Sequence, residues 1–151
     1  MNMAADEEIR NAATRFRLAI EGSLSELPPE MHSFPLGQCG TVTRLLGAYI
    51  EESGLGCFDY VTGGRIDPIE PQEGAWSHAW LEKEGLIVDI TADQFAEKRA
   101  ECVIVTRDLS WHRTFDHDVK NLGQAHFRYA PARIDEAAYR IILDALKKKG
   151  Q

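Results

Sequence analysis

The 151-residue chain has no excess of basic residues, and its formal charge is −7. The broad positive footprint of a nucleic-acid binder is therefore missing. Its one basic run, Lys147-Lys148-Lys149, lies where a helix end would place cations against its own dipole. No window approaches the ~18 consecutive apolar residues of a membrane-spanning helix, so no membrane partner is expected. Cysteine is scarce: Cys39, Cys57 and Cys102 are an odd set at wide spacing. Neither a disulfide framework nor a paired-cysteine zinc or redox motif can be built from them, and free thiols suit a reducing compartment. Glycine-rich phosphate loops of the nucleotide-binding kinds are missing too, so no cofactor is expected. The segment Met1 to Arg10 carries Asp6, Glu7 and Glu8 without an apolar stretch and does not read as a secretory leader. A cytoplasmic location is expected, with removal of a leader or delivery as an effector left open.

What is present is ordinary globular material, 44% hydrophobic and 27% charged, at a length that favours one domain over residues 1–151. Ile9, Ala12, Ala13, Phe16, Ala19 and Ile20 recur at helical spacing and predict a helix over Ala5–Glu21. Ser23–Leu36 holds three prolines and reads as a loop. Val42, Leu45, Leu46, Tyr49 and Ile50 predict a second helix from Cys39 to Glu52, stopped at Ser53-Gly54. Cys57–Thr62 reads as a short strand closed by Gly63-Gly64, with Gly64–Gly74 a loop over a site. Trp76–Glu82 and Leu86–Thr91 read as two strands about a turn at Lys83-Glu84-Gly85, followed by one or two helical turns over Asp93–Arg99. Cys102–Thr106 is a β-branched strand. Arg107–Pro131 has little periodicity and reads as a long loop with a short strand near His126–Tyr129. Ile134, Ala138, Ile141, Ile142 and Ala145 mark a C-terminal helix over Ile134–Lys149. Helices and strands in separate runs predict an α+β fold.

The chemistry starts from the hairpin. Alternation puts Ala79, Leu81, Leu86, Val88 and Ile90 on one face and His78, Trp80, Glu82, Ile87 and Asp89 on the other. A two-residue loop at Lys83-Glu84 sets His78 opposite Asp89, and one at Glu84-Gly85 makes them diagonal neighbours on one face. A plain three-residue loop would separate them unless a bulge restored the phase. A carboxylate beside an imidazole fixes its tautomer and stabilises its protonated form. The imidazole then needs a nucleophile. Cys39 follows a Pro- and Gly-containing loop and opens a helix, where oriented N–H groups and the helix dipole lower a thiol's pKa. Gly40 has no side chain to obstruct an oxyanion approaching that tip. Cys57 and Cys102 read instead as small buried hydrophobes within apolar strands. His112, Asp116, His117, Asp118 and His126 carry metal-ligand chemistry, but their spacing matches no compact zinc motif and a hydrated loop is the expected state.

Phe34-Pro35-Leu36-Gly37-Gln38-Cys39-Gly40 with Leu45-Leu46-Gly47, then Ser77-His78-Ala79-Trp80-Leu81-Glu82, then Val88-Asp89-Ile90-Thr91-Ala92-Asp93-Gln94-Phe95, resembles a group of bacterial papain-fold or transglutaminase-like cysteine hydrolases. That group includes stand-alone proteins and toxin or effector domains, and the likeness spans Phe34 to Phe95. It implies an antiparallel sheet carrying His78 and Asp89 packed on a helix tipped by Cys39. It also implies a thiol-dependent hydrolase or acyltransferase acting on a peptide, isopeptide or glutamine amide, with a protein or peptide as substrate. Cys39 would be the nucleophile, His78 the general base and acid, and Asp89 the orienting carboxylate. The chain departs after Gly40, with Thr41-Val42-Thr43 where members often carry Asp-Ala-Ser: the hydroxyl is kept and an acid is missing. Gln38 is a candidate oxyanion donor, although it directly precedes the cysteine, whereas papain's oxyanion glutamine lies several residues upstream of its own. Gln94 either lines the site or caps a turn, and Trp76 and Trp80 either wall a groove or pack in the core. The rival reading is a catalytically inactive papain-like scaffold serving as a binding or immunity module. Oligomeric state has no signature in the sequence.

Overall fold

The computed structural model describes residues 3–66, 75–121 and 133–149. In chain order it contains α1 (Met3–Gly22), α2 (Cys39–Glu52), β1 (Asp59–Ile66), β2 (Ala75–Lys83), β3 (Leu86–Asp89), β4 (Ile104–Thr106), β5 (Asp116–Asn121) and α3 (Arg133–Lys149). The strands form one five-stranded sheet in the order β4-β3-β2-β1-β5, and the paired strands are antiparallel. The fold is α+β. No helix among the described residues is long and apolar enough to cross a membrane.

Helices cover one face of the sheet. The α1 stripe of Ile9, Ala12, Ala13, Phe16, Ala19 and Ile20 is buried, as helical periodicity requires. Val42, Leu45, Leu46 and Ile50 of α2 join it, together with Ala138 and Ile142 of α3 and, from the hairpin, Leu81, Leu86, Val88 and Ile90. Helix α2 ends as its sequence directs. Gly54 takes φ +77, its N–H donates to Glu51 O (3.0 Å), and Leu55 N–H donates to Ile50 O (3.0 Å), a Schellman closure. The opposite face of the sheet carries a smaller aromatic cluster: Val61, Trp80, Ile87, Phe95 and Phe115, flanked by Trp76, Leu109 and Trp111.

The β2–β3 turn fixes the site's register. Glu84 and Gly85 take φ +49 and +80, the two positive angles of a two-residue type I′ hairpin loop. Lys83 therefore pairs with Leu86 and Leu81 with Val88, so His78 and Asp89 share a face as diagonal neighbours. The β2–β3 pairing ends at Leu81, and β2 runs on without β3 beside it. The first turns of α2 fill the vacated edge: Thr43 Oγ1 donates to Ala79 O at 3.3 Å, and the Ala79 backbone lies near enough to Cys39 to lower its pKa. A helix on one face thus reaches the strand whose polar side chain lies on the other.

Several sequence expectations need correction. Gly63-Gly64 does not close β1, which runs through both to Ile66. The pairing of β1 with β5 shifts register between Thr62 and Gly63, and a Cβ on Gly63 would stand 2.5 Å from Asp116 O, so this glycine serves a close strand approach rather than a turn. Residues 64–66 of the expected loop are therefore strand, and residues 67–74 lie outside the described residues, as does the strand expected near His126–Tyr129. Strand β5 occupies Asp116–Asn121 of the segment read as loop. Cys57 and Cys102 are exposed, because β1 starts at Asp59 and β4 at Ile104, which leaves each thiol in the approach to its strand.

One buried charge ties three segments together. Arg17, 5% exposed on the apolar stripe of α1, donates to both oxygens of Asp93 at 2.8 Å and to the carbonyls of Ile90 (2.7 Å) and Cys102 (3.3 Å). Its guanidinium also lies 4.6 Å from the ring centre of Phe34. Arg17→Met would keep the stem and leave the half-buried Asp93 without its cation, so we expect a loss of about 3 kcal/mol in urea unfolding. A loss under about 1 kcal/mol would mean that the pair behaves as a surface ion pair.

Candidate active site

Cys39 is the first residue of α2 and is half-buried. The turn before it is set by Gly37, whose φ of +71 suits a residue without Cβ, and by Gln38, whose carbonyl accepts from Val42 N–H at 2.9 Å. The thiol is therefore held where the unpaired N–H groups of a helix start converge. His78, 1% exposed, lies close enough to this thiol for each to shift the other's ionisation. Its Nε2 lies 2.7 Å from Asp89 Oδ2, which leaves Nδ1 as the ring nitrogen that serves the sulfur. Asp89 is 2% exposed, and its second oxygen accepts Thr91 N–H at 3.0 Å. The structure thus brings Cys39, His78 and Asp89 into one chain of contacts.

The electrostatics follow from that chain. Burial pushes the Cys39 thiol up, but its hydrogen bond to His78, the imidazolium charge, and the bonds from Ala79 and Gln94 outweigh burial and leave its pKa lowered. Burial pushes His78 down, and the charge and hydrogen bond of Asp89, with help from Cys39, carry it up to about 9. Burial likewise opposes ionisation of Asp89, yet the His78 charge and the hydrogen bonds from His112 and His78 hold its carboxyl well below the usual range. The shifts have the directions that favour a thiolate–imidazolium pair backed by a carboxylate.

The remaining sequence candidates separate. Gln94 sits in the helical turn Ala92–Gln94, where Gly37 N–H donates to its Oε1 at 3.2 Å. That bond turns its amide nitrogen toward His78 Nδ1 (3.3 Å), on the side of the ring where it also lowers the pKa of Cys39. Gln38 faces elsewhere: its Nε2 donates to Glu30 O at 2.6 Å. Gly40 lies against Tyr60, whose hydroxyl would stand 3.3 Å from a Cβ there. Trp80 is wholly buried, its indole N–H donating to Glu82 Oε1 at 3.2 Å, so it packs beneath the site instead of lining it. Trp76 is half-buried and borders a shallow recess of about 310 Å3 with Leu36, Ser77, Gln94 and Phe95.

The residue that sequence reasoning did not attach to this site is His112. It lies in a short helical turn, His112–Thr114, in the segment without periodicity. Its Nε2 lies 2.7 Å from the same Asp89 Oδ2 that serves His78. The only signal for it was its residue type. His78, Asp89 and His112 bring three ligand-type atoms within 4.8 Å of one another. An ion bonded at roughly 2.0–2.2 Å to each in a tetrahedral array would hold them about 3.4 Å apart. Both nitrogens instead stand at hydrogen-bond distance from the one oxygen. His112 Nδ1 is buried without a hydrogen-bond partner among the described residues, whereas metal-bound imidazoles donate their other N–H. The geometry is that of a hydrogen-bonded hub. Of the other expected metal-type residues, Asp116 is exposed, and the side chains of His117, Asp118 and His126 lie outside the described residues.

The Asp89 shift has a consequence for stability. A depressed folded-state carboxyl contributes stability that is present above its unfolded pKa of 3.8 and is lost as pH falls through the lower folded value. Urea titrations of wild type and Asp89→Asn should therefore show a stability gap that narrows as pH drops below about 4. A gap that stays constant between pH 6 and pH 2 would mean that Asp89 is not held as a buried anion. Comparison of the chain with protein-family models, with curated proteins and with solved structures gave no match, so the site is read from its own geometry.

Proposed function

We propose that this protein is a thiol-dependent hydrolase or acyltransferase acting on an amide bond, built on a papain- or transglutaminase-like core. The observation that carries the reading is an imidazole with one nitrogen held by a buried carboxylate and the other facing a thiol at a helix tip. Structural cysteines are seldom given an imidazole partner that is itself oriented by an acid, and that arrangement is what nucleophilic catalysis needs.

The steps follow from the contacts. The Cys39 thiolate attacks the amide carbon, forming the C–S bond and placing negative charge on the former carbonyl oxygen. The Gln94 amide N–H, anchored through Gly37 beside His78 and Cys39, supports that oxyanion together with N–H groups at the α2 tip. Protonated His78 gives its Nδ1 proton to the leaving nitrogen, and the C–N bond breaks to leave a thioester. His78 then takes a proton from water or from an acceptor amine as that nucleophile attacks. Collapse breaks the C–S bond and restores the thiolate–imidazolium pair. A protein or peptide bearing a scissile or side-chain amide is the proposed substrate, in a cytoplasmic setting where the exposed Cys57 and Cys102 stay reduced.

Cys57 and Cys102 are built-in controls. Iodoacetamide at neutral pH, followed by peptide mass mapping, should alkylate Cys39 at least tenfold faster than either exposed thiol, and His78→Ala should remove the advantage. Labelling of all three at one rate would favour the inactive scaffold. Cys39→Ala should fold and carry no turnover on any amide found by screening for cleavage products or for glutamine converted to glutamate. Gln94→Ala should lower turnover on the same substrate by roughly a hundredfold, the cost of one oxyanion donor, while Cys39 remains alkylatable. Undiminished turnover would assign Gln94 to turn structure alone.

A further inference from the structure

His112 has no role in the mechanism just described, yet it is 1% exposed and its ring, among the described residues, spends its hydrogen bond on the catalytic carboxylate. Two imidazole Nε2 atoms, from His78 and His112, each lie 2.7 Å from Asp89 Oδ2, and the other oxygen takes Thr91 N–H at 3.0 Å. The surroundings fix the ring. Trp111 meets it edge-on with centroids 4.8 Å apart, and Trp80 does so at 5.1 Å. With Nδ1 buried and unpartnered among the described residues, the tautomer carrying its proton on Nε2 is the one that satisfies the contact.

We infer that His112 is a positioning residue that shares Asp89 Oδ2 with His78 and so tempers the carboxylate's hold on the catalytic imidazole. This rests on the reading of Cys39, His78 and Asp89 as a thiol-dependent site. A carboxylate facing a single imidazole in a dry interior directs its whole field at that ring and makes it a reluctant proton donor. General acid–base catalysis is most effective when the group's proton affinity lies near working pH. A second N–H on the same oxygen takes part of that field while keeping the acid ionised and its Oδ2 fixed toward both rings.

The groups facing this hub from each packed element can be named. His78 comes from β2, Asp89 from β3 and Cys39 from α2. Glu82 on β2 lies behind Trp80 and is paired with Arg113 at 2.9 Å. Asp93 is neutralised by Arg17 of α1 at 2.8 Å, and Glu97 is paired with Arg65 and accepts the Trp111 N–H at 3.2 Å. Each of these acids has a cation of its own, so Asp89 is the acid whose charge the two histidines divide.

The test is the pH profile of Cys39 alkylation by iodoacetamide on the full chain, read by peptide mapping. Wild type should show a plateau below the free-thiol range and a second rise as His78 gives up its proton, near 9. In His112→Phe, which keeps a planar ring and removes the donor, that second rise should move up by about one pH unit. His112→Gln, whose Nε2 can stand where the imidazole N–H stood, should bring it most of the way back. A two-step wild-type profile that His112→Phe leaves unmoved overturns this inference alone. Equal displacement in Phe and Gln variants also overturns it, since the effect would then come from packing. A wild-type profile with one step at the free-thiol position overturns the thiol-site reading and this inference with it. If His112→Phe fails to fold, long-range proton–nitrogen NMR of the wild-type histidines decides. An Nε2–H tautomer at His112 is expected, and an Nδ1–H tautomer overturns the inference. So does stoichiometric zinc retained by purified wild type and lost from His112→Gln.

Discussion

A carboxylate withdrawn from water must be met by charge and by hydrogen bonds, and Asp89 is withdrawn almost completely. Its two oxygens accept from Thr91 N–H, His78 Nε2 and His112 Nε2, which accounts for most of the acceptor capacity of an ionised carboxylate. Those partners come from three separate stretches of chain. Thr91 follows Asp89 on the same strand end, His78 arrives across a hairpin, and His112 arrives from a turn beyond β4. The aromatic face of the sheet is therefore arranged around one anion. Trp80, Phe95, Trp111 and Phe115 pack against the two imidazoles and exclude water from them. Low local polarity strengthens each of those bonds and makes a missing one costly.

The thiol joins that network because β3 stops early. Were β3 to continue its pairing past Val88, the outer edge of β2 at Ala79 would be taken by another strand. With the edge free, the start of α2 docks there through Thr43, and the Cys39 thiol meets the His78 imidazole across the end of the sheet. Arg17 stabilises the consequence. A strand that ends at Asp89 must be led away through Ile90–Asp93, and the guanidinium holds that departing segment by the Ile90 carbonyl and the Asp93 carboxylate while stacking on Phe34 ahead of Cys39. Gln94, the next residue, thereby stands where it can bond both Gly37 and His78.

What could be read from sequence was local. Helix spans α1 and α2 follow from apolar spacing, and the cap at Ser53-Gly54 follows from residue type. The shared face of His78 and Asp89 needed only strand alternation and a two-residue turn, and Glu84-Gly85 supplies the positive φ angles that such a turn demands. What could not be read were contacts between segments distant in the chain. His112 lies 23 residues from Asp89 in a stretch without periodicity, and Arg17 lies 76 from Asp93 on a helix whose stripe otherwise reads as pure hydrocarbon. Gly63 is the same kind of case. A glycine in a strand can signal a turn or a close approach, and only the position of Asp116 on the neighbouring strand decides between them.

The same contrast bears on how such a site tolerates change. The groups that would perform chemistry are few, but each is held by a residue that would perform none. Gly37 aims Gln94, Thr91 and His112 hold Asp89, and Arg17 holds the segment between Asp89 and Gln94. A substitution at a holder moves the reacting atoms without removing any of them. Displacements on the order of 1 Å matter for nucleophilic attack, where the reacting atoms must meet at about 3 Å in a defined direction. A site with intact Cys39, His78 and Asp89 can therefore lose its chemistry through any of the holders. For the proposed activity, Cys39, His78 and Asp89 would be a necessary condition, and the geometry imposed by Arg17, Gly37, Thr91 and His112 is what would make them sufficient.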